Sequence, residues 1–442
     1  MGVQERDGLY PRPDYLSRLS SFANTEPIKV ITGIRRCGKS SLMLLMQQQL
    51  LAEGVAPEQI VSMNFESMKY RNLTVQSFYK EVIERRIPGK RMYLFFDELQ
   101  RMKGWEDAVN SFRVDLDCDI YITGSNAYLL SSEYATYLAG RYVEIKMLPL
   151  SFREYVQFRG YHIQDVEIIS GDTSPIAYNK ENQPQDWNML LDQYIRYGGM
   201  PGAVELGTVQ HKAFTLLDGI YNTVVMRDIL GRERNHGKPQ ITEPELLQRI
   251  VMFLADNIGN ETSFNTIAKA LVEENLIEYM DDQKKPAVST ISAYVRALTE
   301  AYLFYPVRRY DIKGKEELKS LGKYYIVDCG LRNYLLGYRN LDTGHTIENI
   351  VFLELLRRGY DVKTGKNGTK EVDFIATSDE EVIYYQVTED LSAESTRKRE
   401  LEPLLNIRDH YPKVVIALSA PVTAPVAGIR IVRLIDFLLE RR

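Results

Sequence analysis

The chain has 442 residues, 44% hydrophobic and 26% charged, which is the balance of a soluble globular protein and excludes a mostly disordered one. At about 150 residues per domain there is room for about three domains. A formal net charge of −5 excludes a polycation that coats nucleic acid or membrane indiscriminately, so any such binding must be local. Cys37, Cys118 and Cys329 lie far apart without C-x-x-C spacing, which argues against a disulfide framework and a structural zinc site and fits a reducing cytoplasm. The amino-terminal stretch has no apolar core, and no later run reaches the roughly 18 apolar residues a spanning helix requires. The expectation is a cytoplasmic protein, neither secreted nor membrane-embedded.

The first chemical signal is a β-branched run over 28–32, then Gly33, Ile34, Arg35, Arg36, Cys37, Gly38, Lys39, Ser40 and Ser41, then a helical pattern. Strand, loop and helix with G-x-x-x-x-G-K-S at the turn form a phosphate cradle: the glycines let successive N–H groups converge, and the helix adds its positive end. Lys39 is expected to reach the β- and γ-phosphates of ATP, Ser40 to ligate Mg²⁺, and Ser41 to cap the α-phosphate. Arg35, Arg36 and Cys37 complete the loop, Cys37 as a small filler. The second signal is an apolar run ending in Asp97 and Glu98, a buried strand that delivers two carboxylates to the sheet end where ligands gather. Asp97 is expected to hold Mg²⁺ through its water shell, and Glu98 to orient and deprotonate the attacking water. A further strand over 119–124, lying between these two in the sheet, leads to Ser125 and Asn126, either of which is placed to touch the γ-phosphate or its water. Arg141 stands at a helix-to-strand junction at the sheet edge, where it either reaches a neighbour's nucleotide or forms a surface ion pair.

The loop at 33–41, Phe96-Asp97-Glu98, Thr123-Gly124-Ser125-Asn126, Leu138-Ala139-Gly140-Arg141, Pro149-Leu150-Ser151-Phe152 and Tyr197-Gly198-Gly199-Met200-Pro201 resemble the bacterial and archaeal AAA-type ATPases that carry a C-terminal restriction-endonuclease-like domain. The resemblance covers nearly the whole chain. It implies an α/β P-loop NTPase core with parallel sheet order 5-1-4-3-2, in which Glu98 is the catalytic glutamate, Asn126 or Ser125 the sensor and Arg141 the candidate finger.

Past the core, assigned to 1–150, turn-forming residues over 170–185 predict a surface loop within a helical lid at 151–240. Helical spacing returns at 187–196, breaks at Tyr197-Gly198-Gly199-Met200-Pro201, and resumes through 215–230. Arg196 and Arg227 are candidate second sensors. Three helical patterns and a β-rich hairpin outline a winged helix at 241–325, with Ser289 as N-cap and Thr290, Ser292, Ala293 and Arg296 opening a recognition helix. Residues 284–323 carry nine Lys and Arg against four Asp and Glu, a local footprint for DNA on an acidic chain; winged helices also serve as protein-binding modules.

The remainder, 326–442, resembles the P-D-(D/E)-x-K nuclease core, whose Mg²⁺ would fall to Glu348 and Asp373. Gln386 and Thr388 stand where that core has a carboxylate and a lysine, so the centre reads as degenerate, with Lys398 as a possible rescuing cation. The expected function is Mg²⁺-dependent ATP binding and hydrolysis driving a conformational change, with DNA as the expected partner and a homo-oligomer as the candidate assembly. Two alternatives stand beside it: a nucleotide-gated scaffold with negligible turnover, and an ATP-dependent nuclease.

Overall fold

A computed structural model describes residues 8–127, 140–167, 173–230, 243–273, 286–338, 343–420 and 424–440. Leu138, Ala139, Lys284 and Lys285 lie outside these residues, as do the side chains of Arg227 and Lys319. The chain divides into two compact units, Met1–Met147 with Glu300–Tyr302, and Leu148–Thr299 with Leu303–Arg442.

Among the described residues, the first unit is built on five parallel strands, β1 (Ile28–Thr32), β2 (Ile60–Asn64), β3 (Met92–Asp97), β4 (Cys118–Gly124) and β5 (Tyr142–Lys146). Their order is β2-β3-β4-β1-β5, the expected 5-1-4-3-2 read from the other edge. Every residue of β1 and β3 is buried, as the continuous apolar runs of central parallel strands require. Helices α1 (Pro13–Ser20), α2 (Lys39–Ala52), α3 (Val75–Ile83) and α4 (Trp105–Asp115) accompany the sheet. Phe78 of α3 meets Phe96 of β3 and Phe112 of α4 edge-on, with centroids 5.0 and 5.3 Å apart, so both helices are fixed to the strand that ends in the two acids. Lys29, buried within β1, donates to Asp119 Oδ1 at 2.5 Å and to the Thr25 carbonyl at 2.8 Å, which satisfies a charge that the sheet otherwise desolvates.

The second unit opens with α5 (Phe152–Phe158), capped by Ser151 and Glu154 in a reciprocal box. The stretch expected as a loop instead carries two strands, β7 (Thr173–Tyr178) and β8 (Pro184–Gln185), which with β6 (His162–Glu167) just before it pair antiparallel. Their alternation is weak because β6 is mostly exposed, and Pro175 and Pro184 mask the β signal while being tolerated at sheet margins. Then come α6 (Trp187–Tyr197), α7 (Pro201–Glu205) and α8 (Gln210–Thr223), which runs into a π-helical segment, Val224–Leu230.

Helices α9 (Pro244–Asp256), α10 (Phe264–Glu273) and α11 (Val288–Glu300) precede the hairpin of β9 (Phe304–Asp311) and β10 (Glu316–Ile326). α11 begins at Val288, so Ser289 lies inside its first turn and is not the N-cap. The hairpin is not a free wing. β9 pairs in parallel with β11 (Asp361–Asn367), and the sheet runs β10-β9-β11-β12-β13-β14-β15 through β12 (Lys370–Thr377), β13 (Val382–Asp390), β14 (Lys413–Ser419) and β15 (Arg430–Arg433). The expected boundary near 325 therefore falls at the end of a strand that belongs to the C-terminal sheet. Helices α12 (Cys329–Leu336), α13 (Thr343–Arg357), α14 (Glu394–Leu405) and α15 (Leu434–Leu439) complete the unit.

The Tyr197-Gly198-Gly199-Met200-Pro201 break acquires a structural cause here. Asp328 caps α12 through Leu331 N–H at 3.0 Å and accepts the Gly199 N–H at 2.7 Å, while the Gly199 carbonyl accepts from Leu150 N–H at 2.8 Å. A Cβ on Gly199 would stand 2.3 Å from the Leu150 carbonyl oxygen, so only glycine closes this clasp. Burial pushes the Asp328 carboxyl up to about 6 against its backbone donors. The native chain thus holds this proton more tightly than the unfolded one, whose aspartate titrates near 3.9. Asp328 therefore contributes most below about pH 4 and less as the pH rises to about 6. We expect the melting-temperature advantage over Asp328→Asn to narrow across that window and level off above it. A gap that is constant from pH 4 to 7 would show that the carboxyl does not titrate there.

Candidate nucleotide site

The parallel register brings the C-terminal ends of β1, β3 and β4 to one edge of the first unit. β1 leads into the glycine loop. A Cβ on Gly33 would lie 2.1 Å from the Met147 carbonyl oxygen, so the loop packs against backbone at the end of β5 and tolerates no side chain there. Gly38, left-handed at φ 109°, is the N-cap of α2, which begins with Lys39. The Lys39 ammonium is buried within the loop, 2.9 Å from the Gly33 carbonyl and 3.1 Å from that of Ile34. Arg35 pairs with Glu66, Arg36 is exposed with a left-handed backbone, and the Cys37 thiol is fully buried and pushed up by that burial, in keeping with a filler.

Opposite the loop, Asp97 and Glu98 are both more than nine-tenths buried. Thr123 is the hinge between them: its hydroxyl donates to Asp97 Oδ1 at 2.5 Å and accepts the Glu98 N–H at 2.9 Å. Asn64, aligned with Asp97 across β2 and β3, donates to Asp97 Oδ2 at 2.9 Å. Burial pushes the Asp97 carboxyl up, opposed by hydrogen bonds from Thr123 and Ser40 and by the charge of Lys39. Glu98 sits at φ 54°, a left-handed conformation that costs a side-chain-bearing residue about 1–3 kcal/mol and turns its carboxylate away from that of Asp97. Its Oε2 accepts from Gln100 Nε2 at 2.7 Å and Ser125 Oγ at 3.2 Å. Ser125 is thereby brought to this acid, and Asn126, the next residue along, is buried.

Ser40 lies near enough to Asp97 to draw its carboxyl down, so a hydroxyl and a carboxylate, the hard donors that suit Mg²⁺, are neighbours here. Among the described residues no cluster of three acids, histidines or cysteines competes for a metal. Arg141 is not brought to this edge. Its carbonyl accepts the Ile28 N–H at 2.8 Å, so it flanks the start of β1, about 16 Å of strand from the glycine loop. Thr123, Asn64 and Gln100 were missed as site residues from the sequence. The usable signal for Asn64 is a polar residue ending an apolar strand level with Asp97.

In the second unit, the expected sensor Arg196 is engaged locally, 3.6 Å from Asp192 and 4.4 Å over the ring of Tyr338. Glu348 on α13 accepts from Lys323 Nζ at 2.8 Å and from the Tyr325 hydroxyl at 2.6 Å. Lys323 also pairs with Glu371, and although burial depresses its basicity, Glu348, Asp373 and Glu371 together raise it above the usual lysine value. Asp373 Oδ2 accepts the Val387 N–H at 2.7 Å, and Gln386 bridges Asp373 N–H and Glu400, with Thr388 buried farther along β13. Lys398 does not enter the centre. It is exposed, on the opposite side of α14 from the buried Glu400, and its charge acts on Glu402.

The fold and its loop define a P-loop ATPase fold of the AAA class, and the AAA domain profile matches residues 25–156. A second profile, a domain of unknown function (DUF8612), matches 188–342. The chain belongs to the family of an uncharacterized protein of Haemophilus influenzae, 37% identical over 434 residues that span 98% of this chain and 99% of that one. Uncharacterized protein MJ1544 of Methanocaldococcus jannaschii is 29% identical over 383 residues, 85% of this chain and 77% of that one. Among solved structures, a Walker-type ATPase of Pyrococcus abyssi is similar, with TM-score 0.46 and 15% identity over 76% of this chain and 99% of that one. No helix among the described residues is long and apolar enough to cross a membrane.

Proposed function

We propose that this chain binds ATP with Mg²⁺ and hydrolyses it, and that the nucleotide state is passed to its second unit. The observation that carries the reading is Thr123, whose one hydroxyl fixes Asp97 and Glu98 in different orientations, one toward Ser40 and one toward Ser125. Two acids held apart in this way divide the labour. Asp97 and Ser40 would hold Mg²⁺, which supplies charge neutralisation at the phosphates. Glu98 takes the proton from the attacking water, Lys39 compensates the charge that spreads over the phosphoryl oxygens, and Ser125 with Asn126 orients the acid or the water. Phosphate release measured at steady state, with and without duplex DNA, tests the reading; turnover no faster than buffer alone in both conditions would favour a nucleotide-gated scaffold.

The route outward runs through Glu300–Tyr302, the last residue of α11 and the two that follow it toward β9, which pack as part of the first unit. Tyr302 is buried with a left-handed backbone, φ 57°. Its hydroxyl donates at 3.3 Å to Glu144 Oε1, which also accepts from Thr32 at 2.7 Å, the residue before Gly33. A shift of the loop on nucleotide binding therefore reaches both flanking elements through the backbone. Tyr302→Phe is expected to keep ATP affinity within about twofold and to abolish nucleotide-dependent changes in proteolytic protection of residues 303–442; retention of those changes would disprove the route.

DNA is the proposed partner. Arg308, Arg309 and Lys323 are already held by Glu317, Glu261 and Glu348, so among the described residues the footprint rests on Arg296, exposed on α11, and on Lys313 and Lys315 at the turn between β9 and β10.

A further inference from the structure

The nuclease-like resemblance implies a divalent metal between Glu348 and Asp373, and the residues present do not fit one. The Lys323 ammonium stands 2.8 Å from Glu348 Oε1 and pairs with Glu371. Asp373 spends one oxygen on the Val387 N–H. The third position is an amide, and Gln386 uses both ends of it, on Asp373 N–H and on Glu400. His345 lies 3.7 Å from the second oxygen of Glu348. A lysine inside such a group does what a metal would do electrostatically, since one buried positive charge offsets neighbouring carboxylates. It differs in reach and permanence: it is covalently part of β10 and cannot be chelated away.

We propose that Lys323 is the resident cation of this centre, fastening the β9–β10 hairpin to α13 and β12 in place of a divalent metal. β10 and β12 are not hydrogen-bonded neighbours in the sheet, so the ammonium joins elements that the backbone ladder leaves unlinked. The ring of Tyr325, stacked on Phe352 of α13 with centroids 4.4 Å apart, closes the same seam two residues along. The chain position of the cation, on the hairpin and 25 residues before Glu348, also explains why the third strand needs no lysine at Thr388. Without the ammonium, Glu348 and Glu371 lose their shared partner and Asp373 the nearby positive charge, so an added divalent ion is the charge that could take its place.

Mn²⁺ titration of the full chain without nucleotide, followed by thermal melting and by the electron paramagnetic resonance of free Mn²⁺, tests the proposal. Wild type should show no melting shift with Mn²⁺ or EDTA. Lys323→Met should melt lower in EDTA and recover roughly 2–4 °C at Mn²⁺ tenfold above its dissociation constant. That recovery should vanish in Lys323→Met combined with Asp373→Asn. A wild-type Mn²⁺ site lost on Asp373→Asn, or a Lys323→Met protein that folds normally yet gains no Mn²⁺ response, would overturn it. Should Lys323→Met fail to fold, the wild-type comparison with Asp373→Asn still decides.

Discussion

Exchanging Glu98 for Gln will leave ATP binding intact and lower steady-state phosphate release by about 10²–10⁴-fold, the usual contribution of a positioned general base. The amide has the shape of the carboxylate and still accepts from Ser125 and Gln100, so the left-handed turn at φ 54° and the contact of its N–H with Thr123 are kept. What is lost is basicity. Equilibrium binding of a fluorescent ATP analogue and single-turnover hydrolysis separate the two properties. Unchanged turnover would remove Glu98 from the chemistry and leave Thr123 holding an acid of structural purpose only.

Lys39→Ala acts at the earlier step. Its ammonium is the cation inside the glycine loop, and truncating one partner of a buried charge pair costs about 2–5 kcal/mol, or roughly 30-fold to several-thousand-fold in Kd. The loss should appear in calorimetric titration with ATP and with ADP, since the role proposed for the lysine includes the β-phosphate that both carry. The carbonyls of Gly33 and Ile34 lose a donor in this variant, so the measurement needs a melting curve beside it. Lys39→Arg keeps the charge, but its planar fork does not fit a bend that receives a point cation, and it should also bind poorly. Nanomolar or micromolar affinity equal to wild type in Lys39→Ala would place the phosphates elsewhere.

The core and its chemical residues were legible because each is written in contiguous chain. A buried strand, two glycines, Lys39 and Ser40 form one strand-loop-helix unit, and local geometry alone decides what it can cradle. The run ending in Asp97 and Glu98 is likewise self-contained. The strands β7 and β8 were illegible because a small, two-sided, solvated sheet leaves no alternation to read. Ser289 was mistaken for a cap because the helix starts one residue earlier, at Val288, and apolar periodicity locates helix ends poorly.

The sequence alone determined an α/β P-loop chain in which a glycine loop with Lys39 and Ser40 precedes a buried strand ending in two acids. Tertiary structure alone decided that Thr123 and Asn64 hold Asp97, that Arg141 lies at the far end of its own sheet, and that the hairpin belongs to the C-terminal sheet. It also decided that Lys323, rather than Lys398, meets Glu348. The physical reason is that periodicity reports which face of a strand or helix is buried, whereas the partner across that face is chosen by pairings between distant segments, which no local pattern records.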